Sequence, residues 1–162
     1  MIKTAVITIS DKGSKGERED KTGKELKELL ENEGYSIEHY KIIPDEIEDI
    51  SNELVELCDS KKVNLIITNG GTGFSKRDVT PEATEKVIEK YVPGFGEVMR
   101  ASSLNITPMA MLSRGIAGIR KDTLIINLPG GPKAAIENLR AVLPAIPHGI
   151  EILLGKGSEC AR

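Results

Sequence analysis

The sequence lacks the features by which several classes of protein are recognised. It has two cysteines and two histidines in 162 residues, too few for a disulfide framework or for a metal site built from cysteine and histidine. No apolar run reaches the length that crosses a bilayer, and the apolar start over residues 2–9 is too short for a signal peptide. These absences predict a cytoplasmic protein without a membrane partner.

Aromatic side chains are also scarce, and the chain has no excess of positive charge. The chain has no tryptophan, 3% aromatic residues and a formal net charge of -3. A protein that binds nucleic acid through a broad basic face or by stacking bases needs the opposite composition, so we expect no nucleic-acid partner. A local basic pocket for a small anion is still compatible with this charge.

The composition that is present is that of an ordinary globular protein, with 39% hydrophobic and 29% charged residues. A chain of this length is enough for one domain with a substantial core. We therefore predict a single domain over 1–162 that ends in a short tail over 155–162. Cys160 lies in that tail, whereas Cys58 falls on the apolar side of a helical pattern and is predicted to be buried.

One stretch organises the chain: an apolar run over 63–68 that is followed by three glycines within four positions. The run is rich in β-branched residues, which predicts a buried strand. Gly70, Gly71 and Gly73, with Thr72 between them, allow positive φ and bring backbone N–H groups close to a ligand, a geometry that suits phosphate. The sequences of a P-loop and of the dinucleotide fingerprint are absent, and a purely structural tight turn is the alternative.

Charged residues and a helix start follow the glycines. Lys76 and Arg77 can supply positive charge to a ligand, and Asp78 can supply a hard oxygen. Thr80 is followed by a proline and a glutamate, a pattern typical of an N-cap, a first helical position and a first-turn acid. The predicted order is therefore strand, anion-binding loop, carboxylate and helix.

Strands and helices alternate along the rest of the chain. Strands are predicted over 5–9, 37–43 (nearest an edge), 63–68 and 123–128. Helices are predicted around Leu26 up to a stop at Gly34, over 46–60, from Thr80, over 95–100, after Pro132 and over 148–154. Residues 114–120 are predicted as a short edge hairpin, and 13–20 as a polar loop that is either a lid or a connector. This order predicts an α/β fold, a three-layer α/β/α sandwich with a mostly parallel central sheet.

Right-handed crossovers would bring several turns to one rim of that sheet, including those at Ser10, Gly70 and Gly130. Oriented amides, cations and spaced carboxylates at such a rim suit phosphoryl or nucleotidyl transfer, which depends on positioning and on charge neutralisation by Mg²⁺. Each carboxylate has an alternative interpretation. Asp45 can form a capping pair with Glu48, and Asp11 can form an Asx-turn, whereas capping explains Asp78 less well.

The glycine loop over 70–79 and the start of the next helix resemble the signature of a known family. Gly-Gly-Thr-Gly over 70–73 and Arg-Asp-Val-Thr-Pro-Glu-Ala-Thr over 77–84 are similar to the molybdenum-cofactor biosynthesis domain, the MogA/MoaB type of molybdopterin adenylyltransferase. Further similar segments lie over 9–11, 43–45, 93–97, 112–114 and 127–130. The resemblance therefore covers nearly the whole chain.

The resemblance implies a nucleotidyltransferase: the terminal phosphate of molybdopterin attacks the α-phosphate of ATP, and pyrophosphate leaves with Mg²⁺. Asp45 and Asp78 match the two important aspartates of the family, which implies catalytic and Mg²⁺-binding roles. Other positions match nucleotide-binding or molybdopterin-binding residues: Ser10, Asp11, Gly70, Gly71, Thr72, Gly73, Ser113, Pro129 and Gly130. A homotrimer and a molybdate-insertion enzyme as partner are further implications. A molybdopterin carrier or scaffold without turnover, and a module used for assembly alone, are the alternatives.

Overall fold

The computed structural model describes residues 1–157, so Cys160 and the end of the predicted tail lie outside the described residues. The strands are β1 (Lys3–Ile9), β2 (Ser36–Ile43), β3 (Leu65–Asn69), β4 (Lys90–Tyr91), β5 (Ala117–Arg120) and β6 (Thr123–Leu128). They form one sheet in the order β2-β1-β3-β6-β5-β4. The first four in this order are parallel to one another, and β5 and β4 make antiparallel pairs.

Seven α-helices surround the sheet within residues 1–157. They are α1 (Asp11–Ser14), α2 (Lys21–Asn32), α3 (Ile47–Val55), α4 (Thr80–Val87), α5 (Pro93–Leu104), α6 (Pro132–Val142) and α7 (Ile146–Leu153). A π-helical turn over Glu56–Ser60 and 3₁₀ turns over Pro108–Leu112 and Leu143–Ala145 complete them. None of these helices combines the length and the apolar composition that crossing a bilayer needs.

Successive residues of a strand point to opposite sides of the sheet. The central strands are buried on both faces because helices cover each side. Val6 and its neighbours on one face pack against α2, α5, α6 and α7. Ile7 and its neighbours on the other face pack against α3 and α4, where Cys58 is also buried. The predicted three-layer sandwich with a mostly parallel sheet is therefore confirmed, and β2 is at an edge, as predicted.

The segment predicted as a polar loop over 13–20 is shorter than expected. Ser10 caps the short helix α1, because its Oγ accepts a hydrogen bond from the Gly13 N–H at 2.9 Å. Asp20 is buried and caps α2 by accepting from the Gly23 N–H at 2.9 Å. Local capping at both ends therefore leaves only 15–19 without regular structure.

The predicted N-cap at Thr80 is wrong. Helix α4 begins at Thr80 itself, and Val79 occupies the N-cap position without a side-chain bond. The Thr80 hydroxyl donates instead to the Gly70 carbonyl at 2.8 Å, so the glycine loop uses the group that a cap would have used. The same helix ends at Val87, and Tyr91 belongs to β4.

Two further segments differ from the prediction. The helix predicted over 46–60 is α3 followed by the π-helical turn. The hairpin predicted over 114–120 is instead formed by β5 with β6, and β4 covers the outer side of β5. The sheet therefore ends in a two-residue strand, too short to be predicted from periodicity.

Candidate active site

A cavity of about 510 Å³ opens at the carboxyl ends of the parallel strands. Open α/β sheets bind their ligands at this position. Turns from four strands contribute to its lining, which includes Ser10, Asp45, Gly70, Gly71, Asp78 and Gly130. The rim predicted from the sequence is therefore formed, and both predicted catalytic aspartates face it.

Two glycines at this rim have conformations that other residues rarely adopt. Gly70 has φ of 97° and Gly71 has φ of 68°. A Cβ on Gly70 would lie 2.3 Å from the Ile9 carbonyl oxygen, and a Cβ on Gly71 would lie 2.3 Å from Thr80 Oγ1. The backbone can pass between β1 and α4 only because these side chains are absent.

Asp11 and Asp45 hold the ends of β1 and β2 together. The Asp11 N–H donates to Asp45 Oδ2 at 2.9 Å, and the Asp45 N–H donates to Asp11 Oδ1 at 3.0 Å. The alternative interpretation of Asp45 as a capping residue is wrong, because Glu46 is the N-cap of α3 and makes no side-chain capping bond. Asp45 is thus free to present its other oxygen, Oδ1, which lies beside Gly71.

The environment of Asp45 disfavours its negative charge. Burial raises the pKa of the Asp45 carboxyl, and the nearby carboxylates of Asp11 and Asp78 raise it further. The hydrogen bond from the Asp11 N–H and the charge of Arg77 act in the opposite direction. A cation in the cavity would therefore stabilise the ionised form of Asp45.

Arg77 directs its charge at the protein. Its Nε and Nη2 donate to the two carboxylate oxygens of Asp11 at 3.0 and 3.1 Å, and Nη2 also donates to Glu46 Oε1 at 2.7 Å. The hydrogen bond from Arg77 is the main reason why the pKa of Asp11 is lowered. That Arg77 supplies charge to a ligand stays a prediction, since its Nε and Nη2 already bind carboxylates and Arg77 does not line the cavity.

Asp78 is fixed by the turn that it closes. Its Oδ2 accepts from the Ser75 N–H at 3.0 Å, and its own N–H donates to the Ser75 carbonyl at 3.0 Å. The same carboxylate lies against Gly73, where an added Cβ would be 2.9 Å from Oδ2. Gly73 therefore gives the Asp78 side chain the room to fold back towards the cavity.

The remaining predicted residues lie nearby but in different surroundings. Thr72 is buried, and its carbonyl accepts from the Arg114 N–H at 2.9 Å. Ser113 and Pro129 line a second cavity of about 210 Å³, together with residues of α5 and α6. The fold thus places six of the eleven predicted site residues at the first cavity and these two at the second, whereas Asp11, Thr72 and Gly73 line neither.

The profile of the family described as "Probable molybdopterin binding domain" matches residues 5–148, which is most of the chain. The chain belongs to this molybdopterin-binding family. The family resemblance stated from the sequence is therefore confirmed.

Individual relatives of this family match over most of their length. Molybdopterin adenylyltransferase from Helicobacter pylori strain J99 is 48% identical over 158 residues, which cover 95% of this chain and 89% of the relative. The Escherichia coli K12 protein of the same name is 42% identical over 156 residues, with coverage of 92% and 80%. The crystal structure of the molybdopterin biosynthesis enzyme MoaB from Thermus thermophilus gives a TM-score of 0.91 at 47% identity, covering 96% of this chain and 98% of that one.

The sequence analysis did not identify a cluster of polar side chains around Asp20 in the wall of the first cavity. The Asp20 carboxylate accepts from Thr8 Oγ1 at 2.6 Å and from the Tyr40 hydroxyl at 2.5 Å, in addition to its capping bond. Asn69 donates to the same Thr8 hydroxyl at 3.0 Å. An acidic residue directly before a helical pattern is an N-cap signal that could have identified Asp20. The cluster ties β1, β2 and β3 to the start of α2.

Two of the aspartates that line the cavity, Asp45 and Asp78, fit a magnesium ion. Within residues 1–157, no group of three or more histidine, cysteine or acidic side chains is arranged to hold a metal ion. Mg²⁺ commonly binds through one or two carboxylates and completes its coordination with water and substrate phosphates. Asp45, whose ionised form a cation would stabilise, and Asp78 beside it are suited to be the protein's share of such a site.

Proposed function

We propose that this chain is a molybdopterin adenylyltransferase, which transfers AMP from ATP to the terminal phosphate of molybdopterin and releases pyrophosphate. The observation that carries the proposal is that Asp45 and Asp78, which belong to separate turns, line one cavity together with Gly71. Relatives that bear this name are 48% and 42% identical to the chain over most of its length, which supports the same reaction.

The walls of the cavity suit a polyphosphate. Lys21 and Thr22 begin helix α2, Gly131 and Pro132 lie at the start of helix α6, and all four line the cavity. The free N–H groups and the positive dipole end of a helix N-terminus favour bound anions. Together with the backbone N–H of Gly71, these ends would orient the phosphates of the two substrates, whereas the Gly70 N–H already donates to the Leu128 carbonyl at 3.1 Å.

The charge balance of the cavity supports a divalent cation. Four carboxylates line it (Glu19, Asp20, Asp45 and Asp78), and the basic lining residues are Arg18 and Lys21. ATP and molybdopterin are both anionic, so additional positive charge is needed to bring them together. We propose that Asp45 and Asp78 hold Mg²⁺, which when bound would neutralise charge that develops on the reacting phosphates.

We also propose the finer features that the sequence predicted. These are one domain over the whole chain, a homotrimer that works in the cytoplasm, delivery of the product to a molybdate-insertion enzyme, and ligand contacts from the predicted residues, including Ser113 and Pro129. Exposed apolar side chains support assembly: Ile106, Met109 and Met111 are 59%, 63% and 64% exposed on one short segment. Neighbouring exposed apolar residues commonly mark a protein interface.

The decisive experiment is to incubate the purified protein with molybdopterin, ATP and Mg²⁺. We expect release of pyrophosphate together with formation of adenylated molybdopterin, and loss of both products when EDTA removes the metal. Product that forms at the same rate without the protein would contradict the proposal. Light scattering on the same sample tests the trimer.

The same assay separates the alternatives. A carrier or scaffold would bind molybdopterin without releasing pyrophosphate. It would still be protected from heat unfolding, because a ligand that binds only the folded state stabilises it. A module used for assembly alone would gain no protection from either molybdopterin or Mg-ATP.

A further inference from the structure

We propose that Arg114 is a positioning residue that fixes the glycine loop over 70–79 and, through the backbone, the carboxylate of Asp78. The inference goes one step beyond the proposed function, on which its catalytic part rests. Arg114 is not among the residues that line the cavity, so it would act through the loop alone.

The contacts of Arg114 span the loop. Its Nε donates to the Gly73 carbonyl and its Nη2 donates to the Asp78 carbonyl, both at 2.9 Å. Its backbone N–H donates to the Thr72 carbonyl, also at 2.9 Å. One residue therefore holds the carbonyls of Thr72 and Gly73, which precede the turn over 75–78, and the carbonyl of Asp78, which ends that turn.

The fourth contact makes the guanidinium difficult to replace. Nη1 of Arg114 pairs with Oε1 of Glu82, in the first turn of α4. The other oxygen of Glu82, Oε2, is buried and has no hydrogen-bond partner among the described residues. Loss of the arginine would leave this half-exposed carboxylate without its cation while Oε2 stays unpaired, which costs stability although solvent screens part of the charge.

A lysine cannot reproduce this arrangement. The guanidinium group has five N–H donors in a rigid plane, so it can bind two carbonyls and a carboxylate at once. An ammonium group is a compact point charge at the end of a flexible chain. Arg114→Lys therefore keeps the charge while releasing at least one of the two carbonyls.

The competing explanation is that Arg114 only contributes to stability. Arg120 provides a matched control, because it has a closely similar set of partners elsewhere in the sheet. Its Nε and Nη2 donate to both oxygens of Asp59 at 3.0 and 2.8 Å, and its Nη1 donates to the Val87 carbonyl at 3.0 Å. The Arg114 and Arg120 side chains are 35% and 23% exposed.

The test compares Arg114→Lys with Arg120→Lys in the pyrophosphate assay and in thermal unfolding. We expect both variants to lose thermal stability to a similar extent. A displacement of a catalytic group by about 1 Å can cost about 100-fold in rate, so we expect kcat to fall between about 10- and 100-fold in Arg114→Lys alone. The Mg²⁺ concentration for half-maximal rate should rise in Arg114→Lys, a change that a purely structural role would not produce.

Two results would overturn the inference. One is an Arg114→Lys variant with the kcat and Mg²⁺ requirement of the parent. The other is an equal loss of kcat in both variants, which would assign the effect to stability. If Arg114→Lys does not fold, Arg114→Gln replaces it, since its amide can donate to one carbonyl, and full activity in that variant would be equally contradictory.

Hydrogen exchange separates failure of this inference from failure of the proposed function. Amide exchange across 70–79 needs neither substrate nor turnover, and it should be faster in Arg114→Lys than in the parent and unchanged in Arg120→Lys. If the parent releases no pyrophosphate, the proposed function fails, while faster exchange still supports the loop-fixing role. If the parent is active and neither exchange nor kcat changes, the role of Arg114 fails alone.

Discussion

Two segments leave neighbouring parallel strands and border the same cavity, yet they are held in different ways. The glycine loop follows β3, and two of its carbonyls accept hydrogen bonds from Thr80 and Arg114. Its own Arg77 ties it to Asp11. The segment over 15–19 follows β1 and α1, and all of its residues are exposed. It is anchored at its end by the buried Asp20.

A pair of glycines shows what this difference means. Gly16 and Gly71 have nearly the same backbone angle, with φ of 73° and 68°. A Cβ on Gly16 would meet nothing within 4 Å, whereas a Cβ on Gly71 would lie 2.3 Å from Thr80 Oγ1 and 3.1 Å from Asp45 Oδ1. The glycine loop is therefore closely packed by its surroundings, whereas the segment over 15–19 is open to solvent.

Asp78→Asn tests whether the organised loop carries the chemistry. The amide can still accept from the Ser75 N–H, so the fold should be retained, while the charge that would hold Mg²⁺ is lost. Removal of one preorganised electrostatic group commonly costs about 10²–10³ in kcat, and we expect a loss of that size in pyrophosphate release. Asp122→Asn, at an exposed position in the β5–β6 turn, is the control and should keep parental activity. Equal turnover by Asp78→Asn and the parent would remove Asp78 from the proposed site.

A comparison of Gly71→Ala with Gly16→Ala tests directly whether the two segments differ in packing. Both substitutions place alanine in the left-handed region, which costs about 1–2 kcal/mol in the free energy of unfolding. Only Gly71→Ala also overlaps with Thr80 and displaces Asp45, so it should lose further stability and about 100-fold in kcat. Urea unfolding and the pyrophosphate assay measure the two effects. Equal losses in both variants would mean that the glycine loop is no more tightly organised than 15–19.

Asp45→Asn should have opposite effects on stability and on activity, because the Asp45 carboxyl is partly buried. Because burial raises the folded-state pKa of Asp45, the folded protein binds more protons than the unfolded one between the two pKa values. The stability that the protonated group provides is complete below its ordinary pKa of about 3.9 and is lost as pH rises through the higher folded-state value.

The amide does not titrate, so Asp45→Asn should be modestly more stable than the parent at neutral pH and should lose that advantage in acid. Urea unfolding over a series of pH values checks this, with pyrophosphate release expected to fall in the same variant. An advantage that grows as the pH is lowered would show that the sign of the shift is wrong.

The features that could be predicted from the sequence are those that depend on neighbouring residues. Continuous apolar runs identified β1, β3 and β6, and the turns after them, at Ser10, Gly70 and Gly130, identified the rim. Thr80 shows the limit of such reasoning, because its local pattern is that of an N-cap and the Gly70 carbonyl takes its hydroxyl instead.

The contacts that organise the site join residues far apart in the chain. Arg77 and Asp11 are 66 positions apart, and Arg114 and Asp78 are 36 positions apart. No periodicity or spacing indicates which carboxylate or carbonyl a lone arginine will meet once the sheet has formed. The sequence therefore predicted that Asp45 and Asp78 reach the cavity. It did not predict that Arg77 would pair with the Asp11 carboxylate or that Arg114 would hold the Asp78 carbonyl.

Glu17→Ala addresses the other side of the comparison and should have the smallest effect. Glu17 is exposed, and its backbone N–H donates to the Lys12 carbonyl, a bond that alanine preserves. Exposed substitutions away from specific contacts usually change the free energy of unfolding by less than about 0.5 kcal/mol, and we expect the same here, with kcat unchanged. Thermal unfolding and the pyrophosphate assay provide the measurement. A loss of activity comparable with that of Gly71→Ala would contradict this expectation. It would show that the segment over 15–19 forms fixed contacts when substrate binds, because an exposed side chain without contacts does not affect the rate.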